Sequence, residues 1–567
     1  DPLQQGPYEF GDPMLAWGET HRDREEANQA KWDHHRRWRG WSRHLPAQGD
    51  DRPWAAFAPV KIENEPIRLG DRILVLKYMY LLREPQRFDV VVFKNPTRPD
   101  ENFIKRLVGL PGEILWLLDG DIFRRPVDPS NDTAGSYAGV DGANTDLALM
   151  SIQRKPVDVQ RNVWIPIFDS QYIPENIGTS PTDDADGHGE GDERTGEIVR
   201  SAHDQRSRSP ALTATATAAE QRGAQKDDRS SRRGNYQVPA EPGHTQDRDA
   251  FRIPWFGEPA RDWSLNGRRS YRLHSDASAV LRFDTDLCPL DDRLAYNVTY
   301  RNRPERIRYH VADLRIAATI RPDVDELRTA VELDAHRHTF RARIESDGTV
   351  AVEMRPDGIS TWTILATAQS DRFRLKADRA TPIEFWHVDQ ALWLWIDNRV
   401  ALHAPYEWTA DERLAFAYGW TPEELERQPR HALVQGRNEP ESAALRWRFS
   451  GSPLTMHRVQ IDRDLYFRPQ LENDYGPPAR ASHPENLAVL NEGEFFVCGD
   501  NSSASLDSRR LGEPVPWVQH AFVDRGGIIP RRLLIGKAFF VYFPSPESIQ
   551  PNGRRLIPNF GEMRLIH

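Results

Sequence analysis

The sequence predicts a mainly β protein. One antiparallel β domain is interrupted by a long insertion, and the insertion holds a disordered linker and a second β region with the pattern of a sandwich. Three observations predict this. Short runs that alternate apolar and polar residues, separated by Gly-Asp, Asp-Gly and Asp-Asn turns, fill residues 69–123 and 251–465. Apolar strands closed by Gly or Pro occupy 69–123, and the same style returns after residue 466. Between them, 176–250 is nearly devoid of large apolar side chains, so it cannot bury enough surface to offset its ordering entropy.

Residues 1–60 form a polar N-terminal segment. Trp is scattered there among charges, as in "KWDHHRRWRGWSRH", which reads as a solvated helix with half-buried Trp. Residues 61–123 are the first part of the β domain. "GDRILVLKYMYLL" opens on a Gly-Asp turn, "RFDVVVFKNP" is a buried-type strand stopped by Pro96, and "NFIKRLVGLPGEILWLLDGDIF" reads as strand, turn, strand, turn, strand. Residues 124–250 are expected to be irregular and disordered, apart from one apolar island, "VWIPIFDSQYIP". Residues 251–465 carry "LRIAATIRP", "HTFRARIESDGTVAVEMRPDG" and "IEFWHVDQALWLWIDNRVAL", with "SDG", "PDG" and "DN" marking hairpins. "LWLWIDNRVAL" resembles the strand-turn-strand ending of concanavalin-like, laminin-G-type jelly rolls. No acidic metal-binding cluster or aromatic platform stands out in that region. Residues 466–567, the second part of the β domain and a Pro-rich tail, contain "FFVCGDN" and "GGIIPRRLLIGKAFFVYF".

Composition excludes several classes. Against 85 Asp plus Glu stand 75 Lys plus Arg, a formal net charge of -10, which argues against a dedicated nucleic-acid binder. The two cysteines, Cys288 and Cys498, cannot build a disulfide framework or a zinc motif. No apolar run is long enough to span a bilayer and no signal peptide is visible. The first residue is Asp, so the chain reads as a fragment or a processed product. No cofactor or metal is expected.

The chemistry-bearing stretches are "NFIKRLVGLPGE" (102–113) and "CGDNSSASLDSRRLG" (498–512). The latter crowds Gly, Asn, Ser and Asp after a strand, which is either a polar turn or a shell of donors and acceptors that positions something reactive. Together they resemble the type I signal peptidases, the serine-lysine endopeptidases that clip leader peptides at the outer face of the membrane. Residues 102–113 are similar to the block that carries the general-base lysine: Lys105, Arg106, Gly109, Leu110, Pro111, Gly112 and Glu113. Residues 498–512 are similar to the last block, with Gly499, Asp500, Asn501, Ser505, Asp507, Ser508 and Arg509 at the family spacing. "IIPRRLLIGKAFFVYF" matches the closing strand through Pro530, Gly536 and Lys537, and "LGDRILVLKY" matches the strand after the nucleophile block. These pieces cover about a quarter of the chain.

The resemblance implies roles. Lys105 is the catalytic base, Ser505 holds its amine, and Asp507 with Arg509 forms an ion pair that stiffens the loop. Gly499 supplies conformational freedom, while Asp500 and Asn501 tie down their own backbone. Physical chemistry supports the first role, because a lysine serves as a base only when its ammonium is destabilised, and Phe103, Ile104, Leu107 and Val108 surround Lys105. The family's nucleophile lies in a block like Ser-Met-x-Pro-Thr before "GDRILV". Here that place reads "KIENEPIRLGDRILV": Pro66 survives, the serine's place falls on or near Ile62 or Glu63, and no Ser occurs between Ser42 and Ser130. Either the chain is a catalytically dead relative or the nucleophile block lies before residue 1; the second fits better, because the lysine-side residues are intact. The layout resembles that of planctomycete-like members, in which long inserts separate the blocks and one insert holds a β-sandwich.

The reading implied is a leader-peptide-removing endopeptidase lacking its serine block. Its partners would be exported pre-proteins with signal peptides and a membrane lipid surface, with no nucleic acid. It would act on the extracytoplasmic face of a bacterial inner membrane, with an anchor not in this chain. The alternative is a non-catalytic binding protein whose sandwich recognises glycan or peptide. A self-cleaving repressor of the same superfamily would need a DNA-binding domain, and nothing in the sequence looks like one.

Overall fold

The computed structural model describes residues 71–128, 147–172, 253–266, 269–292, 309–428, 432–435, 443–472, 476–502, 505–522, 525–544, 547–548, 556–557 and 563–566. All lie in one of the two units into which the chain divides, Asp1–Glu175 with Phe251–His567. The expected polar N-terminal segment and the expected linker over 176–250 lie outside the described residues.

The protein is mainly β, and every strand pairing is antiparallel. Five strands of the N-terminal part recur below: β1 (Arg72–Leu76), β2 (Val90–Asn95), β3 (Arg98–Gly109), β4 (Glu113–Leu118) and β5 (Asp121–Pro126). The first sheet runs β1, Leu534–Phe543, β2, β3, Glu494–Cys498, Ile529–Pro530, with Arg564–Leu565 added beside Leu534–Phe543. Strands more than 400 residues apart in sequence thus lie side by side, with Val75 opposite Ala538. On the other side of the sheet Val497 lies opposite Leu107. A smaller sheet runs Ala488–Val489, β4, β5, Ser151–Ile152. The β4–β5 hairpin turns on Asp119 and Gly120, both at positive φ. Gly120 is needed for space as well, since a Cβ there would fall 2.3 Å from the Tyr466 ring.

The insertion folds as two stacked antiparallel sheets. One runs Arg399–Pro405, Ala391–Ile396, Thr381–Val388, Leu314–Pro322, Leu454–Arg463, Ser270–Leu273, Trp263–Asn266. The other runs Thr363–Gln369, Thr349–Pro356, His338–Ile344, Arg328–Ala335, Ala444–Ser450, Ala279–Phe283, Trp255–Glu258. Phe340 of the second meets His387 of the first with ring centroids 4.2 Å apart, and Phe340, Phe385, Trp447 and Phe449 are fully buried. The hairpin turns follow the residues that permit left-handed backbone: Asp397 and Asn398 (φ 53 and 60), Gly348 and Gly358.

One expectation needs correction. Residues 147–172, expected to be irregular, hold a helix over Val157–Val163 and a strand, Ile165–Asp169, that pairs with Leu454–Arg463 of the sandwich. The helix is too short for its periodicity to be read, and the strand belongs to the apolar island. The insertion also contains helices, Ala410–Tyr418 and Pro422–Arg427. The latter starts at a capping box, with Thr421 Oγ1 accepting from the Glu424 N–H and Glu424 accepting from the Thr421 N–H.

Candidate active site

β3 positions Lys105. On a strand, alternate residues share a face, so Lys105 lies with Phe103 and Leu107, and it sits opposite Val91 of β2. Val91, Phe93, Leu107, Phe495 and Val497 form one buried apolar cluster, against which Phe103 and Leu110 pack. The Lys105 Nζ stands 5.7 Å from the Phe103 ring centre. Its neighbour Arg106 faces the other way and is 5% exposed. Arg106 grips both oxygens of Asp500 at 2.8 Å and donates to the Phe88 carbonyl at 3.0 Å.

That grip brings the far block to β3. Glu494–Cys498 pairs with β3, Cys498 opposite Arg106, so the chain leaves the sheet at Gly499 directly beside Lys105. A Cβ on Gly499 would lie 2.2 Å from Ser505 Oγ and 3.4 Å from Lys105 Nζ. Both atoms therefore converge on the same small space. Gly499 is not at positive φ; what this position requires is room, not the conformational freedom the sequence suggested. Asp500 likewise does not tie down its own backbone. It anchors the loop to Arg106, 394 residues away. Asn501 sits half-buried in the bend that follows.

Asp507 and Arg509 are fully buried and paired, Arg509 Nη2 to Asp507 Oδ2 at 2.5 Å and Nε to Oδ1 at 2.8 Å. The chain here is a turn: the backbone N–H groups of Arg510 and Leu511 both donate to the Asp507 carbonyl. Asp507 also accepts the Gly499 N–H at 2.9 Å, which ties the loop's start to its end. The remaining donors of Arg509 reach the Arg468 carbonyl at 2.7 Å and Ser502 Oγ at 2.6 Å. Ser508 Oγ accepts the Val497 N–H at 2.9 Å. On the other side of the site Glu113 accepts the Leu110 N–H at 3.0 Å and pairs with Arg87 at 2.5 Å, which fixes the Leu110-Pro111-Gly112 turn. Lys537 pairs with Asp89 at 2.6 Å.

Lys105 differs from every cation around it. Among the described residues no hydrogen bond or ion pair reaches its amine. Part of the residue still touches solvent, yet protein surrounds the amine densely, and this desolvation pushes its pKa below the ordinary lysine value. Asp507 opposes the shift, and Arg509 reinforces it. Asp507 is held below the usual carboxylate range, because Arg509 and the hydrogen bonds outweigh its burial. The Ser505 hydroxyl, which converges on the same space beside Gly499, is shut away from solvent and has no hydrogen-bond partner. The amine and the hydroxyl thus lie close without bonding to each other.

Sequence reasoning missed Arg468 and Ser502, which complete the Arg509 cage; Ser502 lies inside the 498–512 block without being singled out, and Arg468 lies outside every quoted block. It also missed two features of the insertion. Trp386 and Trp395 are buried together with Trp164 and Trp393 packed against them, an aromatic cluster partly assembled from outside the sandwich. Asp313, Asp389 and Asp464, from the region where no acidic cluster was expected, converge in the interior with Asp121 of β5.

With this geometry in hand, comparison with known proteins is informative. A family model described as "Signal peptidase, peptidase S26" matches residues 56–133 and 454–543, the segments that carry Lys105 and the Gly499–Arg509 loop. The chain is a type I signal peptidase-like protein. Signal peptidase I of Rickettsia typhi is 37% identical over 79 residues, 14% of this chain and 30% of that protein. Signal peptidase I of Pseudomonas aeruginosa is 44% identical over 61 residues, 9% of this chain and 22% of that protein. A probable signal peptidase I-2 of Synechocystis is 33% identical over 75 residues, 12% of this chain and 34% of that protein. The chain thus spans about a third or less of the length of these curated relatives. Among solved structures, the carbohydrate-binding module CBM66 from Bacillus subtilis overlaps 37% of this chain and 95% of its own, at 7% identity and a TM-score of 0.23. A Bacillus licheniformis beta-glucanase overlaps 36% and 82%, at 9% identity and a TM-score of 0.20. Likenesses this weak carry no argument, and the sandwich rests on its own sheet order. No helix among the described residues is long and apolar enough to cross a membrane.

Proposed function

We propose that this signal-peptidase-like chain supplies the general-base half of a serine-lysine endopeptidase that removes leader peptides from exported pre-proteins. The observation that carries the reading is Lys105: a lysine on an apolar strand face, its pKa lowered by desolvation, its amine free of ionic partners and set beside the Ser505 hydroxyl. In this reading the neutral amine takes the proton from a serine Oγ as that oxygen attacks the scissile carbonyl carbon. The resulting ammonium then gives the proton to the leaving amine as the C–N bond breaks, and the ester is hydrolysed by a water activated by the same lysine. Ser505 orients the amine, and the Asp507–Arg509 pair holds the loop. The attacking serine would come from a segment other than 43–129, which contains none.

Engagement of a membrane surface, on the extracytoplasmic face of a bacterial inner membrane, belongs to the same proposal. Helix Met79–Leu82 buries none of its residues; Leu81 and Leu82 are each 84% exposed, and Tyr78 before it is 74% exposed. Apolar side chains this bare on a short helix suit insertion into a lipid interface.

The test is cleavage of a pre-protein with small residues before the scissile bond, in detergent or lipid. The 567-residue chain alone should be inactive, whereas a chain extended to include a serine-bearing block should cleave. Lys105→Ala in the extended chain should lower the rate by about 10²–10⁴-fold with the fold intact. Full activity of the extended Lys105→Ala protein would refute the assignment.

A second reading, a binding protein that uses its sandwich, has one observation in its favour. A polar depression of ≈ 590 Å³ on the sandwich is lined by Arg272, His274, Arg321, Asp323, Asp378 and Thr455. Binding of glycan or peptide ligands that is lost when Arg321 is altered, together with an extended chain that never cleaves, would favour it over the peptidase.

A further inference from the structure

We propose that Asp121, Asp313, Asp389 and Asp464 form a buried site for one divalent cation of the calcium type, at the junction of the peptidase-like sheets and the sandwich. The four come from separate places. Asp121 begins β5, Asp313 precedes strand Leu314–Pro322, Asp389 lies in the turn between Thr381–Val388 and Ala391–Ile396, and Asp464 follows Leu454–Arg463. All four are buried, and one carboxylate oxygen from each lies within 4.8 Å of the others. Oxygens bonded to one calcium ion at about 2.3–2.6 Å fit within that separation.

Two independent observations point to a missing partner. Asp313 is 6% exposed, and its Oδ1 has no hydrogen-bond partner. The other oxygen accepts the Asp389 N–H at 2.9 Å. His387 Nδ1, 3.5 Å from Oδ1, is already engaged with the Ala312 carbonyl at 2.8 Å. Beside Asp313 is a cavity of ≈ 10 Å³, lined also by Asp121, Asp119, Arg413 and Tyr466 and large enough for one water-sized body.

The surrounding charges do not balance. Lys155 bonds Asp389 at 2.6 Å and Asp464 at 2.7 Å. Arg413 bonds Asp119 at 2.9 Å and Asp121 at 3.0 Å. Five buried carboxylates therefore face two permanent cations. An all-oxygen donor set selects a hard cation. Ligands drawn from both β regions would make the ion a clamp between them.

The test uses the purified 567-residue chain, stripped with EDTA and titrated with CaCl2 by calorimetry and in thermal unfolding at neutral pH. One calcium per chain is expected, with a midpoint raised by roughly a few degrees at saturating calcium. Asp313→Asn should weaken binding about tenfold or more, whereas Asp347→Asn, in an exposed turn, should leave it unchanged. Should Asp313→Asn fail to fold, Asp121→Asn and terbium luminescence with calcium competition on the wild-type chain answer the same question. Absence of both heat and midpoint shift, or wild-type affinity in the aspartate variant, would mean a carboxylic-acid cluster neutralised by protons alone and would overturn the site.

Discussion

Two lysines of this chain sit deep in protein and behave in opposite ways. Lys155 has carboxylates at 2.6 and 2.7 Å and is raised well above the ordinary lysine value, because Asp389 and Asp464 outweigh its desolvation. Lys105 has an apolar strand face, a glycine and an unbonded serine hydroxyl, and it is lowered. The residue type is the same and burial is common to both, so direct partners decide the outcome. A lysine becomes a base where the fold keeps acids near enough to order the loop but out of bonding reach. Around Lys105 each acid is already engaged, Asp507 with Arg509 and Asp500 with Arg106.

The comparison can be sharpened by removing each charge in turn. Lys155→Met should be the costliest change, about 3–5 kcal/mol by denaturant unfolding, since it strands Asp389 and Asp464 in the interior. Asp507→Ala should cost slightly less than Lys155→Met, because Arg509 keeps its bonds to the Arg468 carbonyl and Ser502, and it should lower activity of the extended chain in proportion to the folded fraction lost. Ser505→Ala should cost under about 1 kcal/mol in stability, as its hydroxyl makes no hydrogen bond to lose. Its signature should be kinetic, with a lower kcat in the extended chain and a KM little changed. Lys105→Met deletes a charge that nothing pairs with, so it should be neutral or slightly stabilising. Equal losses from the two lysine variants would break the contrast.

How legible was this in the sequence? The Lys105 strand and the Gly499–Arg509 loop were readable because their residues are contiguous: "NFIKRLVGLPGE" and "GDNSSASLDSRR" each place several polar groups of the candidate site within one turn or strand. What these groups touch was not readable. Arg106 and Asp500 meet only after strands far apart in sequence pair, so Asp500 looked like a local turn former. Gly499 looked like a flexible joint because sequence cannot show that Lys105 and Ser505 occupy the space beside it. The aspartate cluster was invisible for the same reason. Asp121 follows a Gly in a hairpin and Asp389 sits in another turn, where Asp is unremarkable on local grounds, and only the packing of two β regions gathers them. The hairpins of the sandwich, by contrast, are set by neighbours in sequence such as Asp397-Asn398, and alternation revealed them directly.

The most direct test is the titration of the lysines themselves, followed by NMR of isotope-labelled lysine side chains in the intact chain, with Lys105→Met and Lys155→Met used for assignment. The signs follow from linkage. A lowered lysine makes stability rise with pH between its folded value and about 10.4, while a raised one makes stability fall above about 10.4. Lys105 should therefore lose its proton at lower pH than the exposed lysines, and Lys155 at higher pH than any of them. Titration of Lys105 together with the exposed lysines would contradict its assignment as the base.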